Sequence, residues 1–198
     1  MQATIGFRVK SGWAAAVLLV GPTAMPRVSA HRVVELSDPA VPASRQPYHA
    51  GRRVGQTDPV TLERLTAGVR RYAAQSIAEW VASCRAAGYL LGGAGMVVGS
   101  EVDPERILNP HIRAHAAEGR LFRSVVEDGT RSCGLTCTTF VERDLFAHAT
   151  AILGRSEASL KRDLAQLGHT PNRPWRQEQK AAATAAWVLL ASASTSRP

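Results

Sequence analysis

Apolar and polar positions alternate from Thr4 to Val9, and after Lys10-Ser11-Gly12 an unbroken apolar run covers Trp13 to Val20. Alternation and a short apolar run bounded by turn residues both suit strands. The pattern therefore predicts two strands, Thr4–Val9 and Trp13–Val20, joined by a tight turn. Gly21-Pro22-Thr23 opens the next turn, and Ser29–Leu36 predicts a third strand. Three β-rich runs at such short spacing read as an antiparallel meander.

Ser37 to Gln56 then reads as a long loop, broken by Pro39, Pro42, Pro47 and Gly51. Asp58-Pro59 is a helix start: a capping carboxylate followed by a proline whose missing N–H costs nothing in the first turn. Leu62, Leu65, Val69, Tyr72, Ala73, Ile77, Trp80, Val81 and Cys84 recur at helical spacing until Gly88 stops the run. Tyr89–Val98 predicts a fourth strand. Its Gly92, Gly93 and Gly95, with Gly99 just beyond, point to close backbone approach, because their order does not match a dinucleotide fingerprint. Asn109-Pro110 opens a second helix ending near Gly129 or Gly134, with an expected inner stripe of Ile112, Ala116, Gly119, Phe122 and Val126. Leu135–Val141 predicts a fifth strand. Asp144–Leu153, Glu157–Leu167 and Arg176–Leu190 predict three closing helices, and Ser192–Pro198 a disordered tail after a single domain over residues 1–191.

The first apolar run carries a second reading. Arg8 and Lys10 precede it, Gly21 and Pro22 break it, and Val28-Ser29-Ala30 resembles a cleavage site, as in a secretory signal. The strand reading predicts a cytoplasmic protein, and the signal reading a secreted one with residues 1–30 removed. Three cysteines, Cys84, Cys133 and Cys137, make no even disulfide framework and favour a reducing compartment. No apolar run reaches the roughly 18 residues of a membrane helix.

The formal net charge is +8 on 198 residues, and residues 1–56 hold seven Lys or Arg against Glu35 and Asp38. A basic amino-terminal third suits an anionic partner. Within the long loop, Ser44-Arg-Gln-Pro-Tyr-His49 mixes a guanidinium, an amide, an aromatic ring and an imidazole, types that contact phosphates and bases.

The order β-β-β-α-β-α-β-α resembles the ribonuclease H-like fold over roughly residues 3–155, with the helices after Gly154 as an addition. Gly6-Phe-Arg-Val-Lys-Ser-Gly12 resembles the Gly-Ile-Asp-x-Gly entry of that superfamily with the acid replaced. Ile112-Arg-Ala-His-Ala-Ala-Glu-Gly-Arg-Leu-Phe-Arg123 and Pro174-Trp-Arg-Gln-Glu-Gln-Lys180 resemble segments of an uncharacterised bacterial family, which brings no activity with it. The resemblance implies carboxylates clustered around two divalent metals. The first acid belongs in the middle of strand one, where Arg8 stands. The second would come from Glu63 or Glu79 on the first helix, and the third from Glu101 or Asp103, slightly late after strand four. A guanidinium at the first position repels a metal.

The expectation is therefore a protein degenerate at the usual metal centre. It would bind an anionic partner, nucleic acid or a nucleotide, without catalysis and without a cofactor. Arg8, Lys10, Arg45, Tyr48, His49 and Lys180 are the candidate anion contacts. Lys180 is included because it opens the last helix, where backbone N–H groups favour anions. An alternative uses His111, His115 and Glu118, whose spacings of four and three share one helix face. They could hold a divalent metal in a relocated hydrolase site. If Glu118 instead approaches the sheet, Arg8 or Lys10 is its natural ion-pair partner. A third alternative is a structural or oligomerising module that makes contact through the fifth strand or the last helix.

Overall fold

A computed structural model describes residues 1–51, 57–168 and 175–195. Arg52, Arg53 and Pro174 lie outside the described residues. The strands are β1 (Gln2–Lys10), β2 (Trp13–Val20), β3 (Arg27–Glu35), β4 (Leu90–Val98) and β5 (Cys137–Val141). The helices are α1 (Pro59–Ala86), α2 (Pro110–Ser132), α3 (Leu145–Leu153), α4 (Glu157–Leu167) and α5 (Gln177–Thr195). One sheet holds all five strands in the order β3-β2-β1-β4-β5. The meander β1–β2–β3 is antiparallel, whereas β4 and β5 add in parallel on the other side of β1. Of the two readings of Trp13–Val20, the structure holds the strand: β2 pairs along its length with β1 on one side and β3 on the other.

Local chemistry sets the element boundaries. Gly12, at φ 83°, closes the turn between β1 and β2 with a backbone other residues rarely adopt. The Asp58 carboxylate accepts the Thr61 N–H at 2.9 Å and starts α1. The Asn109 side chain accepts from His111 N and Ile112 N and starts α2. Each cap satisfies N–H groups that have no partner inside the helix.

Strand alternation divides the core into two layers. Ile5, Phe7, Leu18 and Met96 point to one face and pack with Val69, Ile77, Phe122 and Val126 of α1 and α2. Val17, Leu19 and Val97 point to the other and pack with Ala182, Ala186 and Trp187 of α5 and with Leu145, Leu160 and Leu164 of α3 and α4.

Two expectations about the helices need correction. The closing helices follow the predicted order, but α5 is no peripheral addition. It lies directly on β1, β2 and β4, where Gly6 faces the backbone of Ala182 and Gly95 that of Ala185. A helix apolar on all sides is one buried on all sides, and α5 is held between the sheet and α3 and α4. It also runs on to Thr195, past the Ser192 at which a tail was expected.

The inner stripe of α2 is likewise rotated. Phe122 and Val126 are buried as expected, but so are Ala114, Ala117, Glu118, Leu121 and Val125, while Ile112 is 55% exposed. The start of α2 packs against the 3-10 turns at Pro47–His49 and Pro104–Arg106, and this turns Glu118 inward. Gly119, expected on the inner stripe, instead faces open space. Among the described residues, no helix is long and apolar enough to cross a membrane.

Candidate anion site and histidine cluster

Arg8 sits near the end of β1 on the face shared with Thr4 and Gly6, and it is 4% exposed. Its Nε donates to Glu142 Oε1 at 3.1 Å and its Nη2 to Glu142 Oε2 at 2.6 Å. Its Nη1 donates to the Val9 carbonyl at 2.5 Å. This two-pronged grip on a carboxylate is the geometry a planar guanidinium favours. Glu142 lies in the 3-10 turn Glu142–Asp144 that follows β5 and is half exposed. Glu118, a partner for Arg8 or Lys10 had it approached the sheet, sits on the opposite layer beside His49, and the turn after β5 supplies the counter-charge of Arg8 instead.

A cavity of about 280 Å³ opens at the ends of β1 and β4. Among the described residues, its lining includes Arg8, Lys10, His115, Gly119, Arg120 and Arg123, and no carboxylate. The room beside α2 comes from Gly119 and Ala116, the small residues of the rotated helix. The acids considered for a metal centre do not converge here. Glu101 pairs with Arg123 at 3.1 Å, and Asp103 and Glu105 with Arg120 at 3.5 and 3.4 Å. Glu63 and Glu79 are exposed on α1, where Glu79 accepts from Gln75. Lys10, also on the lining, has no ion pair among the described residues. Arg120, Arg123 and Glu142 were not singled out from the sequence, because their importance depends on which loop folds over which strand end.

The six expected anion contacts are brought together only in part. Arg8 and Lys10 share the cavity, and Arg45 lays its aliphatic stem against Gly12 in the adjacent turn. Tyr48 packs against the α1–α2 layer and His49 lies beside α2. Lys180 is in the first turn of α5, in the layer on the other side of the sheet. There Gln179 Oε1 accepts the Arg176 N–H, so the helix start is occupied by its own side chain.

The loop histidine has a different neighbourhood. His49 Nδ1 lies 2.7 Å from Glu118 Oε1, and Glu118 is fully buried. His115 Nδ1 lies 3.8 Å from Glu118 Oε2. His111 Nε2 and His115 Nε2 are 3.1 Å apart. Ligating nitrogens of His49, His111 and His115 all fall within 4.8 Å of one another. Burial pushes the Glu118 carboxyl up, opposed by the His49 hydrogen bond and by a backbone hydrogen bond from Tyr48. Burial, then the neighbouring imidazoles of His49 and His111, hold His115 below the usual histidine range. The helical pair His111 and His115 was legible in the sequence; the third imidazole comes from the loop 62 residues before His111, a distance no spacing rule covers.

No family model matches the sequence, and no curated protein matches it. The fold is nevertheless similar to solved structures. Thermus thermophilus RuvC in complex with a Holliday junction substrate matches with a TM-score of 0.60 at 10% identity, over 99% of this chain and 97% of that one. A second Thermus thermophilus RuvC structure matches with a TM-score of 0.59 at 10% identity, over 98% and 96% of the two chains. At that identity the likeness is one of fold. With its strand order and its helices on both faces, the chain has the ribonuclease H-like fold.

Proposed function

We propose that this ribonuclease H-like chain binds nucleic acid through the cavity at the ends of β1 and β4, and that it does not use that position for two-metal cleavage. The observation that carries the reading is the lining: Arg8, Lys10, Arg120 and Arg123 with no carboxylate among them. Metal-assisted phosphoryl chemistry needs acids to hold the ions. A surface of cations holds the phosphates themselves, and their neutralisation releases counterions from the nucleic acid. Arg8, Arg120 and Arg123 share their charge with acids nearby, so they act as positioned donors, whereas Lys10 contributes its full charge. The net charge of +8 adds long-range attraction. One structurally similar protein was solved with a Holliday junction substrate, which supports a polynucleotide over a free nucleotide as the partner.

Fluorescence anisotropy with labelled linear and four-way DNA, over a salt series, tests the reading. The expected result is affinity that falls linearly on a log–log salt plot, with a slope that Lys10→Gln makes shallower by about 1. Incubation with magnesium or manganese leaves the strands intact. Binding that ignores salt, or no binding at low salt, overturns the anion site. Metal-dependent cleavage by the wild type overturns the non-catalytic part.

A further inference from the structure

We propose that His49, His111 and His115 form a three-imidazole site for a divalent transition metal, zinc first, with Glu118 as the buried carboxylate behind it. The carboxylate does not point at the ion. Its two oxygens face the Nδ1 atoms of two rings, His49 at 2.7 Å and His115 at 3.8 Å. At 2.7 Å the carboxylate fixes His49 Nδ1 as the protonated nitrogen and leaves His49 Nε2 with its lone pair free. The other two rings stand close by: Nε2 of His115 lies 3.1 Å from Nε2 of His111, and one ring nitrogen from each of the three histidines falls within 4.8 Å of the others. Tetrahedral zinc with bonds of about 2.0–2.1 Å holds its nitrogens about 3.3–3.4 Å apart, so one edge of the site is nearly at its final length.

A second observation points to a ligand. His49 Nε2 and Glu118 Oε2 are both shut off from solvent and have no hydrogen-bond partner. Buried polar atoms without partners are rare in folded proteins. A cation at the histidine cluster would give His49 Nε2 its partner. It would also draw His115 Nδ1 towards Glu118 Oε2 and offset the buried carboxylate charge. Imidazole ligands suit zinc, copper, nickel and iron better than magnesium or calcium, which take oxygen ligands. With three protein ligands the ion keeps an open position. His111 and His115 are exposed, so that position reaches solvent, and His115 also lines the cationic cavity.

The site differs from the His111–His115–Glu118 set that helix spacing suggests. There Glu118 is a ligand; here it is a positioning residue, and the loop supplies the third ring. Because the ligands come from two segments, an ion would staple the Pro47–His49 turn to the start of α2. The inference does not depend on the nucleic-acid reading, and its test uses the metal alone.

The test is a zinc titration of chelator-stripped full-length protein against a competing chromogenic chelator, with metal content measured after dialysis. One equivalent is expected, with a melting temperature that rises with excess zinc by mass action. His111→Ala, at an exposed position that tolerates the change, should weaken binding by more than the roughly 10–100-fold expected for Glu118→Gln. His148→Ala, outside the cluster, should leave binding unchanged. Cobalt(II) in place of zinc should give the intense visible bands of a four-coordinate ion, lost in His49→Ala. The proposal is overturned if the wild type binds well under one equivalent, if zinc leaves its melting temperature unmoved, or if folded His111→Ala binds as tightly as the wild type.

Discussion

Arg8 and Glu142 are joined by two charge-assisted hydrogen bonds across 134 residues of chain. The pair ties the end of the central strand to the turn leaving the edge strand β5. Removing Glu142 would leave a nearly buried guanidinium with only the Val9 carbonyl as partner. Because Glu142 is itself 51% exposed, solvent takes up part of the loss, and Glu142→Gln should cost about 1–2 kcal/mol. The same substitution frees Arg8 toward the cavity and should raise DNA affinity while lowering stability. Urea unfolding and anisotropy on one preparation check both signs; a variant that loses affinity along with stability contradicts the arrangement.

Gly6 is expected to be irreplaceable. A Cβ there would land on the Ala182 carbonyl oxygen and also meet Ala186. Neither the Ala182 backbone nor the Ala186 Cβ can rotate away, so Gly6→Ala should cost at least the 1–3 kcal/mol typical of overpacking. Gly68, with nothing within 4 Å of its position on α1, is the control. Gly68→Ala should stabilise by roughly 0.5–1 kcal/mol through helix propensity. Denaturant midpoints for the two variants should move in opposite directions.

Burial, aided by the charge of Glu127, pushes the Cys137 thiol up to about 11. The folded state therefore favours the neutral thiol. That contribution is fully present below the ordinary value of 9.0 and is lost as the pH rises through about 11. At pH 8 about one Cys137 thiol in a thousand is ionised, so alkylation by iodoacetamide should be slow there and quicken up to about pH 11. Peptide-resolved labelling follows it directly. Rapid modification of Cys137 at pH 7 in the folded protein would contradict the burial.

The capping carboxylate of α1 offers a smaller, cleaner change. Asp58→Ala removes the acceptor for Thr61 N–H and should lower the denaturant midpoint, while Asp58→Ser should recover most of the loss. The Thr61 hydrogen bonds hold the Asp58 carboxyl below its ordinary value. The stabilisation is thus present above the unfolded carboxylate range and is lost as the pH falls through the folded value. Wild type and Asp58→Ala should converge in stability in acid.

The parts of the fold legible in the sequence were those written in local chemistry. Alternation in β1, the unbroken apolar run of β2 and the Asp58-Pro59 start of α1 each need only neighbouring residues. The place of α5 was not legible from its own residues, because an alanine-rich helix buried on all sides shows no stripe. Its signal lay elsewhere, in Gly6 and Gly95, glycines inside strands where a helix backbone comes close. At the site, the missing acid at Arg8 was plain, but its partner Glu142 was not. The rotation that buried Glu118 was hidden because Ile112, Ala116 and Gly119 fit a helical stripe equally well. Only the packing of the Pro47–His49 turn against α2 decides between the two faces.

The fit of α5 into the glycine-lined sheet also bears on how the chain is made. The helix that covers Val17, Leu19 and Val97 is the last described element to leave the ribosome. Until it arrives, the meander can pair and α1 can dock, yet one whole face of the sheet is bare and apolar. The long-range closure of β1 against β4 is slow for the same topological reason. A nascent chain of this protein therefore spends most of its synthesis half-covered. It should depend on holding factors, and an interrupted translation product should be aggregation-prone.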